Sequence, residues 1–427
     1  MTVATTLFNS VFENLRVTNA EEIAGRRDEI TKALNKHFRN SGSVSANRLM
    51  VGSYGRNTAI NGVSDLDLLY VLPGELRAIY AKEKGSYKAL RAVKDAISRH
   101  YSTTNIKVDR LVVVVEFRTF KFEVQPVFEL SDGSFSYPDT YSDSWKTTKP
   151  REEIDAMSAI DADTDGNARK LCRLARAWKN KHDAPLNGLL IDTLVWRFLS
   201  ETEEYQSATT RPDFMIRDFF AFIHQLPIQS YFNALGSRQQ VKVKSNFQAK
   251  AGKAKRLCDE AIEAHGSHGM NDKWKRVLGR FVPAASSAHE SSVLDTSIDT
   301  EEFIEDMYPV SIKFQLDIDC AVTQNGFRPT LLSSLLAQQR RLRPDKRLEF
   351  TANTRNIPEP FELKWKVLNR GDEAHRRNCI RGQIVDGSTR DTRVEHTNFR
   401  GDHLVECYVL KGGTIVAQAR IDVPIAV

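Results

Sequence analysis

The run Ser64-Asp65-Leu66-Asp67-Leu68-Leu69-Tyr70-Val71-Leu72, closed by Pro73-Gly74, constrains this chain more than any other segment. A short apolar run bounded by turn residues reads as a strand, here over residues 66–72. Side chains two apart on a strand share a face, so Asp65 and Asp67 stand together at its start. Two carboxylates in that position repel unless a cation lies between them. Carboxylate oxygens completed by substrate phosphates are what Mg²⁺ prefers.

A third carboxylate on a neighbouring strand would complete such a site. Residues 119–128 alternate in period two, with Phe120, Phe122 and Val124 on one face and Lys121, Glu123 and Gln125 on the other. Glu123 is therefore the candidate, with Glu116 on the expected strand 111–117 as its rival. Three carboxylates can hold two Mg²⁺ ions, one activating an attacking hydroxyl and one neutralising a leaving pyrophosphate. Upstream stands Gly52-Ser53-Tyr54-Gly55-Arg56-Asn57-Thr58. A turn at Gly52-Ser53 can offer backbone N–H groups and a hydroxyl to a triphosphate, and glycine lets the backbone come close. No triad accompanies Ser53, so it reads as a phosphate contact and not a nucleophile. Each element alone is weak; a DxD pair or a GS turn arises often by chance. The strength lies in the ensemble.

These residues resemble the active site of the polymerase β-type nucleotidyltransferases, and within them the CD-NTases, bacterial relatives of cyclic GMP–AMP synthase and oligoadenylate synthetase that include the SMODS group. Phe122-Glu123-Val124-Gln125-Pro126-Val127-Phe128 resembles the family's third-carboxylate strand, where Asp is usual. Arg169 to Lys179 resembles its central helix, which carries a basic triphosphate contact; Arg176 fits that role, with Lys179 as the alternative. Arg347-Leu348-Glu349-Phe350, Phe361 to Ala374 and Leu404 to Leu410 resemble the AGS-C sensor domain. The resemblance implies an α+β chain: a polymerase β-type nucleotidyltransferase core with a helical domain, followed by a small C-terminal β-sandwich. The expected divisions are a core over 1–165 with an N-terminal helix, a helical domain over 166–284 closing the nucleotide cleft, a linker and connecting segment over 285–345, and the sandwich over 346–427.

The implied activity joins nucleoside triphosphates, ATP among them, into a cyclic oligonucleotide second messenger in antiphage signalling of the CBASS kind. Asp65, Asp67 and Glu123 are the implied catalytic and metal-binding residues, and Gly52, Ser53, Asp65, Asp67, Arg176 and Lys179 the nucleotide contacts. The cofactor would be two Mg²⁺ ions, with Mn²⁺ as the substitute. Partners would be the triphosphates, a nucleotide-like ligand at the sandwich, and an effector reached through the product. Two other readings stay open: nucleotidyl transfer to an RNA end or a protein, and a non-enzymatic nucleotide sensor.

Composition sets the outer bounds. The 427 residues carry 61 Lys and Arg against 55 Asp and Glu, a net charge of +6, which permits an anionic partner without naming one. The positive excess is local: Leu235–Cys258 holds seven basic residues and no acid, and Arg340–Arg347 is a second basic run. Ala284–Thr300, rich in Ser, Ala and Thr, reads as a linker. In the sandwich, Arg376, Arg377, Arg381, Arg390 and Arg393 near His396–Arg400 are arginine forks suited to phosphates. The longest apolar runs fall far short of the roughly 20 residues that cross a bilayer. Residues 1–17, with acidic Glu13, do not look like a signal peptide. Five scattered cysteines without a CxxC pair give neither a disulfide framework nor a zinc site such as the DNA-sensing animal relative uses, and fit a reducing cytoplasm.

Overall fold

The apolar body of the acidic strand is buried as its sequence requires: Leu66, Leu68, Leu69 and Tyr70 are at most 2% exposed. The structure is a computed structural model. It describes all residues except 1–2, 208–210, 268, 285–301, 303, 309, 311, 324–328, 339, 345, 370–381, 390, 398–400 and 427, and omits the side chains of 305, 306 and 402. The chain divides into two compact units: Met1–Gly42 with Leu49–Glu290, and Ser43–Arg48 with Ser291–Val427.

The first unit is built on a seven-stranded sheet. Its strands are β1 (Arg48–Met50), β2 (Asp65–Val71), β3 (Asn105–Asp109), β4 (Val112–Glu116), β5 (Lys121–Glu129), β6 (Phe135–Asp139) and β7 (Ser144–Thr148). The order is β1-β2-β5-β4-β3, with β6 on β5 and β7 on β6. The acidic strand β2 lies parallel to β5, with Asp65 opposite Lys121 and Asp67 opposite Glu123. Helix Gly85–Ser98 packs on this sheet through Ala89, Leu90, Val93 and Ile97.

The expected N-terminal helix is two helices, Val3–Leu15 and Ala20–Arg39, separated at Arg16–Asn19. The first of them joins the helical part of the unit. Phe8 meets Trp274 edge-on at 4.8 Å, inside one apolar core with Trp178, Phe220 and Phe247. That core unites helices Pro150–Asp163, Asn167–His182, Gly188–Glu201, Pro212–Gln225, Gln248–Glu263 and Met270–Leu278. Each large apolar side chain buried there contributes about 1.5–3 kcal/mol. A short hairpin, β8 (Tyr231–Asn233) with β9 (Gln240–Lys242), connects two of these helices. None of the described helices is long and apolar enough to cross a membrane.

The second unit is a β-sandwich of two four-stranded sheets. One has the order β11-β10-β12-β15, from β10 (Asp317–Thr323), β11 (Thr330–Leu331), β12 (Arg347–Asn353) and β15 (Thr392–His396). The other has the order β14-β13-β16-β17, from β13 (Glu362–Leu368), β14 (Ile384–Asp386), β16 (Gly401–Lys411) and β17 (Thr414–Ile425). Cys320 and Phe350 from the first sheet share a core with Trp365, Cys407 and Val409 from the second, as face-to-face sheets do. Gly412 and Gly413, both at positive φ (57° and 73°), turn β16 into β17, where side chains would be strained.

Segment 285–345 proves to be more than a connection. Its β10 pairs with β12 over seven residues, from Asp317 opposite Asn353 to Thr323 opposite Arg347. Leu316, Cys320, Val322, Leu332 and Leu342 enter the sandwich core. The sandwich therefore starts well before residue 346. Residues 285–300 of the expected linker lie outside the described residues, as do Arg376, Arg377, Arg381, Arg390, Asn398–Arg400 and Cys379. Arg393 is described, and its guanidinium is held by Glu395 at 2.6 Å instead of standing open for a phosphate. Cys172, Cys258, Cys320 and Cys407 are free and buried.

Candidate active site

The acidic pair and the glycine turn meet at one edge of the first sheet. Val51 donates its N–H to the Asp67 carbonyl at 2.9 Å, which ties the turn to β2. Gly52 follows at φ 66°, opening the short helix Gly52–Gly55. A Cβ on Gly52 would stand 1.9 Å from Asp67 Oδ2 and 2.9 Å from Asp67 Cγ. Glycine is required here twice over, by its left-handed backbone and by the carboxylate pressed against it. Ser53 closes the turn, its carbonyl accepting from the N–H groups of Thr58 (2.8 Å) and Ala59 (3.1 Å).

The carboxylates are brought together by register. Asp67 faces Glu123 across the parallel pair β2 and β5. Glu116, the rival, is committed elsewhere: it accepts from Lys107 Nζ and Asn105 Nδ2, each at 2.6 Å. Burial pushes the Asp67 carboxyl up to about 6, and the charges of Glu123 and Asp65 add to the rise, against the pull of Arg56 and Lys121. Lys121 lies between the other two acids. Its Nζ stands 2.8 Å from Glu123 Oε1 and 3.2 Å from Asp65 Oδ1, and those contacts, the bond to Glu123 first, raise its own pKa. No group of three His, Cys, Asp or Glu side chains among the described residues converges as a preformed metal site. The donor set nonetheless fits a divalent cation. Three hard oxygen ligands share one edge, one of them is reluctant to ionise without a counter-charge, and two already hold a cationic group.

A cavity of about 530 Å³ opens over this edge. Gly52, Ser53, Asp65 and Asp67 line it from the sheet side, and Arg176, Lys179, Asn180 and Gly188 from the helices. Glu123 lies beside it and not among its lining residues. Tyr54 and Tyr137, aromatics near the turn and the sheet, do not line it either: Tyr54 is buried, and Tyr137 packs against the core of Leu49, Leu69 and Phe135. The apolar walls are Ile60, Val63, Pro150, Leu189 and Ile191 instead.

The two basic candidates have different surroundings. Arg176 is buried and gripped by Asp192, Nη1 to Oδ1 at 2.6 Å and Nη2 to Oδ2 at 2.9 Å, with Nη2 also donating to the Gly188 carbonyl at 3.1 Å. Lys179, one turn on, makes no ion pair among the described residues. Asp192 is the centre of a wider network that sequence reasoning did not anticipate. Arg56 Nε donates to its Oδ2 at 2.7 Å, and Thr58 Oγ1 does so at 3.1 Å. Arg56 also reaches Glu153 at 3.1 Å, which Ser237 holds from the other side at 3.1 Å. Burial alone would push the Asp192 carboxyl up; Arg176 and Arg56 outweigh it and hold it at about 2. Two arginines and two acids form a cluster that binds the turn at Arg56 and Thr58 to the helices. A sequence signal for Asp192 existed: it is a lone acid in the apolar run Gly188–Val195, and such an acid is buried only when paired.

Two family models match the chain. Residues 1–160 match the Second Messenger Oligonucleotide or Dinucleotide Synthetase (SMODS) domain. Residues 298–426 match the Adenylyl/Guanylyl and SMODS C-terminal sensor domain, which takes in β10 and β11. A probable cyclic nucleotide synthase of Bacillus cereus (strain VD146) is 22% identical over 274 residues, covering 55% of this chain and 81% of that protein. The Vibrio cholerae DncV cyclic AMP-GMP synthase, solved with nonhydrolyzable GTP, has a TM-score of 0.52 at 12% identity, over 66% of this chain and 97% of its own. CdnC of E. coli MS115-1, solved with HORMA-deltaN, has a TM-score of 0.51 at 16% identity, over 66% and 99%. At these identities the structural likeness concerns the fold. Fold, family matches and homologue converge: the chain is a nucleotidyltransferase with a SMODS domain followed by an AGS-C sensor domain, similar to the cyclic oligonucleotide synthases (CD-NTases).

Proposed function

We propose that the chain makes its cyclic product from ATP and other nucleoside triphosphates at the edge formed by Gly52, Ser53, Asp65, Asp67 and Glu123. The observation that carries this reading is the pairing of Asp67 with Glu123 across parallel strands, beneath a glycine whose backbone touches the Asp67 carboxylate. Asp65, Asp67 and Glu123 would hold two Mg²⁺ ions, with Mn²⁺ as a substitute. Bound there, the ions supply the charge that acidifies an attacking hydroxyl and neutralises leaving pyrophosphate.

The remaining work falls to side chains and backbone. The Gly52-Ser53 turn offers its N–H groups and the Ser53 hydroxyl to the triphosphate, and Lys179 adds a cation from the facing helix. Arg176 acts by holding Asp192, which braces Thr58 and Arg56 and so the turn itself. Glu123 takes the proton of a ribose hydroxyl onto its carboxylate as that oxygen bonds the α-phosphorus. The bond from the α-phosphorus to the bridging oxygen breaks, and pyrophosphate leaves. A second round on the linear intermediate closes the ring.

The product would be a second messenger in antiphage defence, acting on an effector, and the sandwich would take a nucleotide-like ligand. Plating phage on cells that carry the gene with its neighbours tests the biological part. Protection that survives Asp65→Asn with Asp67→Asn would refute it.

A further inference from the structure

Lys121 is a cation set among metal ligands. Among the described residues it alone makes ion pairs with two of the three carboxylates, Glu123 at 2.8 Å and Asp65 at 3.2 Å. The register fixes it there: Lys121 stands directly opposite Asp65 on the parallel strand, and its side chain shares a face with Glu123. It is about one-third exposed, so it can leave without unfolding the strand. Three carboxylates and one ammonium sum to −2. A bare divalent ion has to take the oxygens that Lys121 occupies and then tolerate a positive neighbour. A metal ion that arrives on a nucleoside triphosphate brings about four negative charges with it, and the displaced ammonium can turn to phosphate.

We propose that Lys121 makes metal loading conditional on nucleotide: it is a positioning residue that holds the metal-free carboxylates together and yields to a metal–triphosphate complex far more readily than to the bare ion. This rests on the reading of Asp65, Asp67 and Glu123 as metal ligands. The size of the effect follows from Coulomb's law. A unit charge and a divalent ion roughly 6 Å apart in water-like surroundings repel by an amount equal to about a tenfold change in affinity.

The test is Mn²⁺ binding to the full chain, read from the electron paramagnetic resonance signal of free Mn²⁺, with and without a nonhydrolysable ATP analogue. Lys121→Gln should tighten binding of bare Mn²⁺ about tenfold and leave binding in the presence of the analogue within about threefold of wild type. Lys121→Arg should stay near wild type in both. If Lys121→Gln does not fold, Lys121→Met takes its place, with the same expectation. Bare-ion affinity that is unchanged or weaker in the neutral variants overturns the proposal and leaves the metal site standing. Mn²⁺ binding that is undiminished in Asp67→Asn overturns both.

Discussion

Asp67→Asn should make the metal-free protein more stable while abolishing its activity. Burial, and then the charge of Glu123, lift the Asp67 carboxyl from 3.8 to about 6. Folded Asp67 thus holds its proton more tightly than the unfolded chain does. The stability this contributes is complete below about pH 3.8 and is lost as pH rises through 6. A rise of about 2 units corresponds to about 3 kcal/mol, at about 1.4 kcal/mol per unit. At pH 7.5 in chelator, wild type carries that penalty and the amide does not. At about 2–4 °C per kcal/mol, the scale for chains of 150–250 residues, the unfolding midpoint should rise by about 6–12 °C. The gap should shrink to about half at pH 5 and close near pH 4. Adding Mn²⁺ at pH 7.5 should stabilise wild type and leave the variant unmoved. Thermal unfolding followed by circular dichroism measures all of this. A variant no more stable than wild type at pH 7.5 in chelator, or a gap that does not narrow as pH falls, would refute the reasoning.

Three further outcomes follow from the same site. Asp192→Asn leaves Arg56 and Arg176 without their buried counter-charge, so urea unfolding should show a loss of about 3–5 kcal/mol; a loss under 1 kcal/mol contradicts the bracing role. Gly52→Ala places a methyl group against Asp67 at a left-handed backbone position. It should cost about 1–2 kcal/mol and depress Mn²⁺ binding while the circular dichroism spectrum persists; unaltered binding contradicts it. Glu123→Gln should remove nucleotidyl transfer, whereas Glu116→Gln, whose partners are Lys107 and Asn105, should leave turnover within about twofold. The reverse pattern would exchange their roles.

The strands of the site were legible because their patterns are local. The apolar run after Asp65 and the alternation around Glu123 placed β2 and β5 to within a residue or two. The pairing of Asp67 with Glu123 follows once two strands are parallel neighbours, but nothing local says which register they take. Long-range contacts were harder to foresee. The partner of Arg176 lies 16 residues on and that of Arg56 lies 136 residues on, so Arg176 looked like an open phosphate contact when it is a buried ion pair. The sandwich boundary was misplaced for a similar reason: the alternation of Phe314–Asp319 reads as a strand, but only its pairing with β12 assigns it to the sandwich. Lys121 was visible on the polar face of its strand. Its position between two acids needed the parallel register to become apparent.

Incubation of the purified chain with labelled nucleoside triphosphates and Mg²⁺, followed by phosphatase, tests the central claim most directly. We expect a small labelled product that resists phosphatase, and none from Asp65→Asn with Asp67→Asn. Label that appears only in inorganic phosphate or on added RNA or protein, or a resistant product that persists in the double variant, would contradict cyclic nucleotide synthesis at this site.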